Sequence, residues 1–171
     1  VVVGRFHPGY CSAPRAAAKG FTFVNLGWCK DVSHILHELL HIIGMDHEQQ
    51  RFDRDTYVRF SPGTGNDGNN ARVTTDRTFG LPYDFRSRVH YGLGSTTRGM
   101  SLTDAGRRRL AAQGATERDV GGGDGKGGMS ELDAERIIRM DPRIGGGGGR
   151  EVTVAQSGAE FSWAMASATP G

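Results

Sequence analysis

HELLHIIGMDH, residues 37–47, is the stretch on which the reading of this chain turns. It sits inside DVSHILHELLHIIG, where apolar residues at 32, 35, 36, 39, 40 and 43 recur at helical spacing. Asp31 or Ser33 is placed to cap the start, and Gly44 stands where a left-handed residue commonly closes a helix. His37 and His41 are four apart, so they share one face about 6 Å apart along the axis, close enough to meet one ion. Glu38 completes the pattern H-E-x-x-H, in which two histidines bind zinc and the glutamate serves as general base.

The next residues sharpen this. Gly44 tolerates positive φ and so allows a sharp reversal, after which His47 returns as a third ligand. Three neutral imidazoles suit Zn²⁺ and leave a position open for water, the arrangement of a catalytic site; a structural site fills all four positions, often with cysteine. Neither Cys11 nor Cys29 sits at a ligand spacing. His34 precedes the motif by a turn and is assigned to the surroundings or the surface, and isolated His7 receives no role.

Outward from the helix, VVV and RFH in residues 1–10 suit a strand, and FTFVNLG, 21–27, suits another that ends at Gly27. SPGTGNDGNN, 61–70, is a loop by its turn residues, and Pro82 discourages helix in the irregular stretch around it. LTDAGRRRLAAQ, 102–113, predicts a short helix weakened by Gly106. GGGDGKGG, 121–128, predicts a flexible insert. SELDAERIIRM, 130–140, predicts a helix with Ser130 as N-cap and Asp133 three residues on. GGGGG, 145–149, predicts a linker, and 150–171 a tail too short to fold alone.

With 171 residues the chain suits one domain, and 27 glycines with 36% hydrophobic residues point to many loops around a small core. A net charge of +2, with basic residues spread along the chain, argues against a dedicated nucleic-acid binder. No apolar run is long enough for a membrane span, and no signal peptide is visible. By counting alone, the two cysteines form either one disulfide or two free buried thiols.

HELLHIIGMDHEQQRFDRDTYV, 37–58, closely resembles the zinc-binding signature of the astacin metalloendopeptidases, within the wider metzincin group. Glu48 after the third histidine, then Arg51, Asp53, Arg54, Asp55, Tyr57 and Val58, match that family's continuation. Cys11 and Cys29 resemble its cysteine pair, which implies a Cys11–Cys29 disulfide. Pro82-Tyr83-Asp84-Phe85 with Ser87 to Gly92 resembles its Met-turn segment, and Met129 through Met140 its C-terminal helix, so the likeness spans about residues 10–142. The resemblance implies that Tyr91 lies near the zinc, ligating it at rest and stabilising the tetrahedral intermediate in turnover, and that His90 is structural.

The chain departs from the family at Val89, which stands for the methionine beneath the metal and predicts a packing defect of about 1–2 kcal/mol. Arg88 replaces a usually apolar residue, and Ala71 a common aromatic. In the family Glu48 meets the mature N-terminus, and nothing in the resemblance brings Val1 to it. The resemblance implies an α+β, zincin/metzincin-like fold with a small mixed sheet packed on the active-site helix and an irregular C-terminal half with a second helix; the N-terminal part of the usual domain is expected to be missing. Residues 1–144 are expected to be the catalytic domain, and 145–171 a linker and tail. The implied protein is a secreted, monomeric zinc endopeptidase acting on protein or peptide substrates; the alternative is a non-catalytic zinc-binding remnant or binding module with the same core.

Overall fold

A computed structural model describes residues 1–14, 22–66, 68–93 and 99–141, together with the backbone of 154–156 and 159–161. Strand β1 (Val2–Gly4) pairs in parallel with β2 (Phe23–Asn25), and Ser12 bridges Asn25 in the antiparallel sense on the other side. The Asn25 side chain fastens the turn between them: its Oδ1 accepts the N–H groups of Phe6 and His7, and its Nδ2 donates to the carbonyls of His7 and Tyr10. A Cys11–Cys29 disulfide closes this unit across 18 positions, so the pairing implied by resemblance is present.

Helix α1 (Val32–Ile42) follows, starting from Asp31 and burying Glu38, Leu40 and His41. Gly44, at φ +103°, makes the reversal that its position suggests, and Met45 N–H bonds back to the Leu40 carbonyl at 3.0 Å. Leu40, Met45 and Val89 form a buried cluster, with Leu36, Ile137 and Met140 packed against it. Val89 is fully buried there, flanked by two methionines; unbranched thioether side chains adapt readily to irregular space.

A second, larger cluster comprises Val58, Tyr83, Phe85, Met100, Leu102, Leu110 and Val120. It rests on an antiparallel pair, β3 (Val58–Phe60) and β4 (Met100–Leu102), in the register Val58↔Leu102. Neither strand is evident from sequence, because three residues are too few to display a two-residue period. Helix α2 (Asp104–Ala112) is capped by Thr103, whose hydroxyl accepts from Gly106 N–H at 2.9 Å. Gly106 is required rather than tolerated: a Cβ there would run into the Tyr57 carbonyl oxygen.

Helix α3 (Glu131–Met140) begins with the capping box expected of Ser130 and Asp133. The 121–128 stretch corrects the expectation of a flexible insert. Gly121 N–H bonds to the Phe85 carbonyl at 2.8 Å and Gly123 N–H to that of Arg86 at 2.7 Å, so the loop lies hydrogen-bonded against residues 85–88. Strands β5 (Val154–Gln156) and β6 (Ala159–Phe161) form an antiparallel hairpin within the 150–171 tail. The glycine run 145–149, and with it the boundary after residue 144, lies outside the described residues.

Candidate metal centre

The helix places His37 above His41, and the Gly44 reversal brings back His47. His41 Nε2 lies 3.0 Å from His37 Nε2 and 3.1 Å from His47 Nε2. Each opposite ring nitrogen meets an oxygen that can only accept from it: His37 Nδ1 the Arg88 carbonyl at 2.9 Å, His41 Nδ1 the Met45 carbonyl at 2.7 Å, and His47 Nδ1 the Gln50 Oε1 at 3.0 Å. The protons of the neutral rings therefore sit on Nδ1, and three Nε2 lone pairs converge on one point. Lone pairs cannot bond to one another, so the arrangement fits a cation between them. Burial first, then the neighbouring His41, lowers the His37 pKa to about 4, which keeps that ring in the ligating form.

Glu38, the residue after His37 in α1, is buried. Its carboxylate and the two sulfurs of Cys11 and Cys29 lie within 4.8 Å of one another, so one wall of its environment is the disulfide. Burial raises its pKa to about 7, opposed by a hydrogen bond from the Ala13 backbone. Tyr91 is partly exposed, with its ring centroid 4.5 Å from that of His47 and 6.2 Å from that of His37. Its backbone N–H donates to Gln49 Oε1 at 3.0 Å.

His90, next in sequence, faces away from this group. It is buried, donates from Nδ1 to the Tyr91 carbonyl at 2.6 Å and pairs through Nε2 with the Tyr83 hydroxyl at 2.9 Å. His34 lies with its ring edge-on to Trp28 and its Nδ1 3.5 Å from the Asp31 carboxylate. His7 is exposed on the turn after β1.

Residues 10–139 match the family model that describes the astacin peptidases. The chain belongs to the astacin family. Among related proteins, zinc metalloproteinase nas-29 of Caenorhabditis elegans is 40% identical over 83 residues, which are 45% of this chain and 16% of that protein. High choriolytic enzyme 1 of Oryzias latipes is 39% identical over 74 residues, 40% of this chain and 26% of the other. Meprin A subunit beta of Mus musculus is 37% identical over 68 residues, 37% of this chain and 10% of its own length. The chain thus spans about a quarter or less of each of these relatives. The solved structure of high choriolytic enzyme 1, a hatching enzyme zinc-protease from medaka, superposes with a TM-score of 0.60 at 24% identity, covering 81% of this chain and 66% of that one, and supports the same fold. Zinc is the metal of astacins, and the imidazole trio is a donor set suited to it.

Four outer residues of this astacin site are not legible in the sequence as partners. Gln50 orients His47, Gln49 holds the Tyr91 backbone, Arg88 supplies the acceptor for His37, and Arg136 meets Glu48. Glu48 is fully buried; Oε1 accepts from Arg51 Nη1 at 3.0 Å and from Asp84 N–H at 2.9 Å, while Oε2 lies 2.7 Å from Arg136 Nη2. The one available hint is the run of polar residues 48–51 directly after a ligand, since buried polar groups need partners.

Proposed function

We propose that the chain is a zinc-dependent endopeptidase that hydrolyses internal bonds of protein or peptide substrates. The observation that carries this reading is the convergence of three Nε2 lone pairs, each ring held from behind by an acceptor, with a buried glutamate directly after the first ligand in the helix. His37, His41 and His47 hold the metal. When bound, zinc supplies a water acidified to a pKa near 7 and polarises the scissile carbonyl.

Glu38 would act as general base: a carboxylate oxygen would take a proton from the attacking water and then deliver it to the departing amine. A pKa of about 7 suits both tasks at neutral pH, because the group accepts a proton readily and gives it up again. Tyr91, with its ring 4.5 Å from that of His47, would ligate the metal at rest and offer its hydroxyl to the oxyanion in turnover. His90 takes no part, since both its ring nitrogens are committed within the fold. The Cys11–Cys29 disulfide and the extracellular character implied by the family support a location outside the cell or in its secretory route. Among the described residues no helix is long and apolar enough to cross a membrane, and the enzyme is expected to act as a monomer.

The test is to measure bound zinc per chain and cleavage of casein, with and without Glu38→Ala. One zinc per chain, with cleavage that the substitution abolishes, is expected. Zinc without cleavage above the variant would sink the enzyme and leave a non-catalytic zinc-binding module; no zinc would sink both.

A further inference from the structure

The glycine-rich loop 121–128 and Arg88 meet in a way that the peptidase chemistry does not require by itself. The Arg88 guanidinium is ringed by backbone carbonyls of that loop: Nε donates to Gly128 O at 3.1 Å, Nη1 to Gly121 O at 3.1 Å, and Nη2 to Gly122 O at 2.8 Å and Gly128 O at 2.7 Å. Converging carbonyls repel one another unless a cation sits among them, and a planar fork of N–H groups suits several acceptors at once.

The glycines make this ring possible. Gly121 and Gly123 have φ of +76° and +60°. A Cβ on Gly123 would stand 2.5 Å from Arg88 Nη2, and one on Gly121 would collide with the His90 carbonyl. Asp124 closes the loop by accepting from Lys126 N–H at 2.7 Å and Gly128 N–H at 2.8 Å. Arg86 braces it from the side, with Nε 3.0 Å from the Gly123 carbonyl.

The main chain of the same residue is also committed. Arg88 N–H donates to Asp133 Oδ2 at 2.7 Å, at the capped start of α3, and the Arg88 carbonyl accepts from His37 Nδ1 at 2.9 Å. Side chain, N–H and C=O of one residue thus join the loop, α3 and the first ligand of the trio. A partner behind a ligating histidine fixes its tautomer and ring angle, and so its strength as a ligand.

We infer that Arg88 is a positioning residue for the metal ligand His37, and that loop 121–128 is the carbonyl cage that holds Arg88 in place. The inference rests on the zinc-site reading above and concerns how one ligand of that site is aimed. Removing the guanidinium leaves the cage without its cation; the carbonyls spread, the 85–88 backbone follows, and His37 loses its acceptor.

The experiment compares wild type, Arg88→Ala and Arg88→Lys, with Lys126→Ala as a control on the exposed part of the same loop. Zinc affinity is measured by competition with a chromophoric chelator. The tautomer of His37 is read on metal-free protein from the ¹⁵N shifts of its ring. Arg88→Ala is expected to weaken zinc binding on the order of ten-fold, the range seen for groups that orient ligands, and to release His37 from its Nδ1–H form. Millimolar guanidinium, far below denaturing levels, should restore both, and ammonium should not. Arg88→Lys keeps the charge without the fork and should resemble Arg88→Ala, giving a second test if the alanine variant does not fold. Unchanged zinc affinity and an unchanged His37 tautomer in a folded Arg88 variant would overturn the inference, as would equal rescue by ammonium. A wild-type chain that takes up no zinc would sink the zinc reading, while the His37 tautomer in the metal-free protein still decides the role of Arg88.

Discussion

Arg136 reaches from α3 to the carboxylate of Glu48, placing Nη2 2.7 Å from Oε2 with both side chains almost wholly buried. The contact is an ion pair, and among the described residues Arg136 Nε has no hydrogen-bond partner. Glu48 adjoins the ligand His47 and donates its own N–H to the Val89 carbonyl, 3.1 Å away. One charge pair therefore ties α3 to the segment that carries the third ligand. Truncating one member of a buried pair leaves the other uncompensated, at a typical cost of ~3–5 kcal/mol. Arg51 also contacts Glu48, so Arg136→Met is expected at the lower end, about 3 kcal/mol by urea denaturation. Adding Glu48→Gln to it should cost much less than the sum of the two single changes. Strict additivity would show that the pair carries no coupling.

The Glu38 carboxyl makes stability of the metal-free chain depend on pH. Its pKa is about 7 when folded, against an ordinary 4.5, so between these values the unfolded chain has released a proton that the folded chain retains. The Glu38 contribution is therefore present below about pH 4.5 and is lost as pH rises through 7. His37, lowered from 6.5 to about 4, works in the opposite sense: its contribution is lost as pH falls through that window. Glu38→Gln removes the first effect alone. Its stability relative to wild type, followed by chemical denaturation in chelator, should improve steadily from pH 4.5 to 7 and then level off. A constant difference across this range would mean that Glu38 titrates normally.

Tyr91→Phe keeps the ring beside His47 and removes the hydroxyl. Loss of one oxyanion donor typically lowers kcat by about 10²–10³-fold. We expect such a fall in peptide cleavage with little change in KM and with zinc retained. A variant as fast as wild type would restrict Tyr91 to packing.

The disulfide has two separable effects. Cys11 and Cys29 close a loop across 18 positions, which corresponds to about 3 kcal/mol in the chain-entropy account. It also walls the Glu38 carboxylate. Replacing both cysteines by serine should lower stability by about that amount, and water admitted beside Glu38 should bring its pKa down toward the ordinary carboxylate range. The acid limb of the cleavage profile should then move to lower pH. Lost stability with an unmoved limb would separate the disulfide from the base.

The ligand trio is legible in the sequence because its geometry is local: a four-residue helical step, a glycine reversal and a return three residues later. Cores around Leu40 and Val58 are partly visible as apolar spacing, whereas β3 and β4 are not, because their pairing joins two short segments far apart in the chain. Tyr91 emerges only through resemblance, since nothing local in the sequence distinguishes it from any other tyrosine. Arg88 stands out merely as a departure, and the 121–128 glycines look like slack. Composition cannot tell a loose loop from one whose carbonyls are drawn around a guanidinium. The Arg136–Glu48 contact lies beyond reach for the same reason, as a partnership between distant polar positions.

The three ligands do not depend equally on the rest of the molecule. His41 leans on Met45 and His47 on Gln50, acceptors three or four residues away that any chain holding this helix and turn brings along. His37 alone leans on a residue from another part of the fold, Arg88, separated from it by 51 positions. When the structure loosens by heat, denaturant or a proteolytic nick between these segments, His37 is therefore expected to be the first of the three to lose its acceptor. The helix and its turn would then keep His41 and His47 together, and loss of zinc is expected to follow loss of the three-ligand geometry rather than precede it.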